Sequence, residues 1–179
     1  MERVVDNGHT TDGFWQQVGA RVPPAGVVAV LPHTASLSIL NVTSGEEREA
    51  VRGAFGAVVQ TTVGQADGRL IADLQQRGYT PVDFDALRQA ALASDLGDTD
   101  WSEPPVAMRI GRAVGADLVL AGDFQFEVRL LPRGDEGAPA ARQEVRYTLV
   151  ALDVADGSEV ARSPLTHRWE STLPSAGQA

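Results

Sequence analysis

Val27-Val28-Ala29-Val30-Leu31-Pro32 is a continuous apolar run, mostly valine, closed by a proline. A strand with one wet face alternates polar with apolar residues, so an unbroken run of this length predicts a strand covered on both faces. Such strands belong to layered α/β sheets. Downstream, from His33 to Gly45, the composition shifts to Ser, Thr and Asn with Leu37, Ile39, Leu40 and Val42 interleaved, which reads as a long loop or an edge hairpin. Upstream, Phe14, Trp15 and Val18 stand at helical spacing before Pro23 and Pro24, so residues 1–25 read as an extension carrying a short helix.

Beyond the loop, Val51, Phe55, Val59, Thr62, Ala66, Leu70 and Leu74 recur about every four residues, as one face of an α-helix does. Gly53, Gly56, Gly64 and Gly68 weaken that helix, and the Asp67-Gly68 turn dipeptide predicts a break near Gly64 to Gly68. A short strand follows over Tyr79 to Phe84. Asp85 is placed to cap a helix that buries Leu87, Ala90, Ala91 and Ser94. An acidic loop, Asp95 to Glu103, surrounds Trp101, and Pro104-Pro105 can open the next helix, which Gly115 ends as its C-cap. Phe124, Phe126, Val128 and Leu130 alternate with Gln125, Glu127 and Arg129, the mark of a long strand with one wet face. Residues Pro132 to Arg142 read as a mobile hairpin tip. A second hairpin then turns at Asp156-Gly157, a pair favoured in type I′ turns. The expected fold is α/β: a mixed sheet flanked by helices, with antiparallel hairpins at the C-terminal end. One domain occupies residues 26–170, and residues 171–179 form a disordered tail.

Composition narrows the function. The chain has 179 residues and a net charge of −9, and all 15 of its basic residues are Arg. Such a surface repels phosphate backbones unless arginines cluster, and here they are scattered, so nucleic acid is not an expected partner. Without Lys no Walker loop can exist, and without Cys there is no disulfide, thiolate site or thiol nucleophile. Gly111-x-x-x-Gly115 falls at the end of a helix and not before one, so it reads as close packing plus a C-cap, not as a phosphate cradle. His9, His33 and His167 have no metal-ligand spacing. Asp98 and Asp100 lack the spacing of an EF-hand and read as a solvated loop.

No leader is readable behind Met1, whose neighbours are Glu2, Arg3 and Asp6, so the chain reads as cytosolic or as one whose leader has been removed. His33 ends the first strand where α/β sheets place ligands, and a catalytic set there would need Ser36 or Ser38 beside it. No cofactor is expected. Trp101 either packs on its own helices or meets a partner, and Leu37 and Ile39 carry the same two readings. These three are the expected partner-binding residues.

Three stretches together resemble a group of bacterial envelope proteins. They are Val27 to Pro32, the segment Arg109 to Gly122 with its Gly115-Ala116-Asp117 phrase, and the hairpin Val150 to Val160 with its Leu152-Asp153 and Gly157. The helix ending Leu74-Gln75-Gln76-Arg77-Gly78-Tyr79 fits as well. The group comprises the curli-secretion lipoprotein, the amino-terminal domain of TolB, and the outer-membrane lipoprotein activators of penicillin-binding proteins. The resemblance covers about residues 26 to 170. It implies a periplasmic domain anchored to the outer membrane through a lipid on an upstream cysteine, acting without catalysis through contacts with an envelope protein. The alternative is a small-molecule-binding or sensory domain with its site at the end of the first strand, near His33.

Overall fold

The computed structural model describes residues 10–131 and 140–172. In chain order they form α1 (Thr10–Arg21), β1 (Val27–Val30), β2 (Thr34–Leu40), α2 (Gly45–Gln76), β3 (Thr80–Pro81), α3 (Phe84–Ala93), α4 (Pro104–Ala113), β4 (Leu118–Leu130), β5 (Ala140–Asp153) and β6 (Glu159–Thr172). The strands make one mixed sheet in the order β3-β1-β4-β5-β6, with β2 also paired to β4. β1 and β2 run parallel to β4, while β5 and β6 add antiparallel. The expected mixed α/β sheet is the observed one. The hairpin tip expected at Pro132 to Arg142 lies mostly outside the described residues, and residues 173–179 of the expected tail lie wholly outside them.

Helices cover both faces of the sheet's first half. On one face α1 and α2 bury Phe14, Val18, Leu70 and Leu74 against Val28, Val30, Leu118, Leu120 and Leu149. On the other, α3 and α4 bury Leu87, Ala91, Ala107 and Ile110 against Ala29, Leu31, Val119 and Leu152. This two-sided cover is why β1 reads as an unbroken apolar run. Further along β4, only the α2 face is covered, where Val51 packs over Ile39, Val128 and Leu130, so the strand alternates there.

Several expectations give way. α1 is no appendage to the core, because Phe14, Trp15 and Val18 are buried in its largest cluster. Arg21 at its end pairs with Asp153 and, at 2.6 Å, with Asp156, tying α1 to the β5–β6 turn. α2 runs unbroken for 32 residues through Gly64 and Gly68. A Cβ at any of its four interior glycines would meet nothing within 4 Å, so these glycines cost propensity without breaking the ladder. The strand expected over Tyr79 to Phe84 shrinks to Thr80–Pro81, and Asp83, not Asp85, caps α3 by accepting from the Asp85 N–H. Asp156-Gly157 sits within a longer loop, Val154 to Ser158, rather than in a two-residue turn.

Candidate functional site

β1 and β2 lie end to end along the same edge of β4. Val30 pairs with Leu120 and Thr34 with Asp123, so the chain takes four steps where β4 takes three. The extra residue, accommodated around Pro32, turns His33 into the protein. Its side chain is 0% exposed. The backbone N–H of His33 donates to Asp67 Oδ1 at 3.1 Å, and Nδ1 lies 2.5 Å from the same oxygen. Nε2 lies 2.8 Å from the Tyr147 hydroxyl. A carboxylate accepts only, so the neutral ring carries its proton on Nδ1, and Nε2 accepts from Tyr147. The imidazole stacks on Tyr147 with centroids 5.5 Å apart, and Phe124 stacks on Tyr147 at 4.5 Å. Burial, and then the Asp67 carboxylate, hold the Tyr147 hydroxyl far above the ordinary tyrosine range, so it remains a donor.

An acid, an imidazole and a hydroxyl in series have the form of a proton relay, but the imidazole at its centre has no exposed side-chain surface. Ser36 and Ser38, the serines a catalytic set at His33 would need, pair with Gln125 and Glu127 on the opposite face of the sheet. The chain instead uses Asp67-His33-Tyr147 to tie α2 to β5 across the β1–β2 junction. Neither partner was legible, since Asp67 and Tyr147 lie 34 and 114 residues from His33 with no motif between them.

On that opposite face a half-open groove of about 360 Å³ runs past Thr34, Ser102, Asp123, Gln125, Glu159 and Arg162. It occupies the end of the first strand, where the small-molecule reading placed its site. Its polar groups serve one another: Thr34 Oγ1 donates to Asp123 at 2.7 Å, and Arg162 donates to both Glu159 oxygens at 2.9 and 2.7 Å. Among the described residues no group of three His, Asp or Glu comes together as metal ligands would.

Leu37 and Ile39 belong to β2, not to a loop, and pack under α2 with Val51 and Val128; Ile39 is only 6% exposed. Trp101 lies across the sheet from them, half-buried against the α3–α4 cluster. Its Nε1 donates to the Leu96 carbonyl at 3.1 Å and its ring sits 6.4 Å from that of Phe84. The structure therefore does not bring the three together. Phe84 was missed as a surface residue, although a phenylalanine between Asp83 and Asp85 was the signal that could have marked it.

No protein-family model and no curated protein sequence matches the chain. Solved structures do. The LpoB C-terminal domain of Escherichia coli matches with a TM-score of 0.50 at 18% identity, over 89% of this chain and 96% of that one. The chain shares the fold of the LpoB C-terminal domain. The Salmonella enterica LpoB C-terminal domain matches with a TM-score of 0.47 at 18% identity over 89% and 96%, and a lipoprotein of Neisseria meningitidis with 0.45 at 15% over 85% and 88%.

The phrases that carry the sequence resemblance hold up this LpoB-like fold rather than any chemistry. Gly115, at φ +67°, follows the end of α4, and a Cβ on Gly111 would come 2.5 Å from Val119 Cγ2. Close packing is thus the observed role of Gly111, while the C-cap falls on Val114, one position earlier than expected, and Gly115 is the left-handed residue just beyond it. Asp117 accepts from the Val27 N–H at 2.8 Å and fixes the start of β1. Asp153 accepts from the Ala155 N–H at 2.8 Å, shaping the β5–β6 turn while holding Arg21.

Proposed function

We propose that the chain is a periplasmic cell-envelope accessory domain that acts without catalysis, by binding the periplasmic part of a membrane protein. A penicillin-binding protein is the first partner to test, since activators of those enzymes are among the proteins the sequence resembles and LpoB supplies the shared fold. The carrying observation is the enclosure of His33: the Asp67-His33-Tyr147 arrangement, built like catalytic machinery, has no exposed side-chain surface at its centre. The relay is then scaffold, and function passes to the surface. Leu37 and Trp101, both partly exposed, are its proposed contacts, while Ile39 is buried beside Leu37 under α2. Anchoring to the outer membrane through an upstream lipidated cysteine belongs to the same reading.

The test is binding of the purified chain to purified penicillin-binding proteins of the source bacterium, together with their rate of glycan polymerisation and cross-linking. Saturable binding that raises the rate is the expected result. Trp101→Ala should weaken it by about 2 kcal/mol, the size of an aromatic anchor. Absence of binding to every such enzyme would defeat the choice of partner. A small-molecule screen that raises the thermal midpoint through the Thr34–Arg162 groove would favour the sensory alternative.

A further inference from the structure

The outer surface of α3 and the loop behind it combine two properties seldom found together. Phe84 is 51% exposed and Leu92 64%. Eight residues apart on α3, they lie about 12 Å from each other along its axis. The Trp101 ring lies beside Phe84. Gly97 passes so close over Leu92 that a Cβ there would come 2.8 Å from Leu92 Cδ2. Phe84 and Trp101 thereby form an apolar strip, with the exposed Leu92 two turns further along α3 and roofed in part by Gly97.

Charge is the second property. Residues 83–103 hold Asp83, Asp85, Asp95, Asp98, Asp100 and Glu103 against a single Arg88, so five of the nine net negative charges fall in this one segment. A second copy of the chain would bring like charge onto like charge, and phosphate-bearing ligands would be repelled. An apolar centre with a one-signed rim suits an occupant of the opposite sign.

We propose that this strip docks a basic segment of a protein partner, with Arg or Lys side chains over the acidic rim and the aromatic rings and an apolar side chain seated against Phe84 and Trp101. A guanidinium above such rings gains a cation–π contribution, and the acidic rim speeds the encounter. The proposal rests on the reading of the chain as a protein-binding domain and names the chemistry of what it binds.

The test uses a short fluorescein-labelled peptide alternating Arg and Leu, with a Glu–Leu peptide as its mirror in charge. The intact chain should bind the Arg–Leu peptide alone, and added salt should weaken that binding. Phe84→Ser, at an exposed position that leaves the core untouched, should weaken it about tenfold, as should Asp98→Asn, Asp100→Asn and Glu103→Gln together. Equal binding of the Glu–Leu peptide, or unchanged affinity in both variants at an unaltered thermal midpoint, would overturn the proposal. Self-association that Phe84→Ser abolishes would overturn it in favour of a second copy. If a penicillin-binding protein binds wild type and both variants alike, the strip is refuted while the protein-binding reading stands. If no such enzyme binds but the peptides behave as stated, the strip stands and only the partner class fails.

Discussion

His33 fills the space in which a side chain at position 122 would stand, since a Cβ on Gly122 would overlap the imidazole at Cδ2 and Nε2. The glycine is therefore a condition of the Asp67-His33-Tyr147 tie and not a matter of backbone freedom. Gly122→Ala should expel the ring from its stack on Tyr147 and destabilise the fold by about 2–3 kcal/mol, the cost of overpacking a filled interior. Urea unfolding checks this, and an unchanged midpoint would show that the ring can move aside freely.

Tyr147 makes stability depend on alkaline pH. Its hydroxyl titrates near 10 in the unfolded chain and well above that when folded, because burial and then Asp67 disfavour the phenolate. Between those two values the unfolded chain has released a proton that the folded chain keeps, so unfolding becomes easier as pH rises. Stability should be flat with respect to this group below about pH 10 and fall above it. Tyr147→Phe should flatten that fall while lowering stability at neutral pH by about 1 kcal/mol through the lost hydrogen bond to His33. Denaturation midpoints across the alkaline range, compared between the two proteins, decide it.

The two glycines around the end of α4 separate strain from crowding. Gly115→Ala forces φ +67° on a residue with a Cβ in open space, so it should cost about 1 kcal/mol. Gly111→Ala drives a methyl into Val119 and Val154 and should cost about 1–3 kcal/mol. A larger loss at Gly115 than at Gly111 would contradict this assignment.

In α2 the sign reverses. Gly64→Ala and Gly68→Ala place a methyl in open space on a regular helix, and each should stabilise the fold by about 0.5–1 kcal/mol. A loss in thermal midpoint on either substitution would mean that the helix needs its glycines for something other than the native packing.

Local rules carried the reading as far as local causes reach. β1's unbroken apolar run, the alternation of Phe124 to Leu130, the prolines opening α4 and the φ of Gly115 are each set by neighbours in sequence, and each stands where the residues put it. β2 was hidden because its alternation is out of step with that of β1, an effect of a partner strand some 89 residues away. The break expected in α2 failed for a related reason: Val51 at one end and Leu70 and Leu74 at the other hold a helix that its glycines alone would loosen. The site was the least legible part. Asp67 reads as a turn residue and Tyr147 as one more strand aromatic until the fold sets both against His33.

The extra residue between β1 and β2 has a further consequence for how this chain can change length. Val28 and Val30 face α1 and α2 in β1, whereas Leu37 and Ile39 do so in β2, so even positions point inward before the kink and odd ones after it. Removing one residue around Pro32 would restore a single phase along the edge of β4. Thr34 would stay opposite Asp123 and Leu37 and Ile39 would stay beneath α2, so β1 and β2 would run on as one regular strand without the irregular step that now separates them. What reads in sequence as a polar connecting segment is a phase shifter: its one surplus residue is what lets even positions of β1 and odd positions of β2 share a single apolar face.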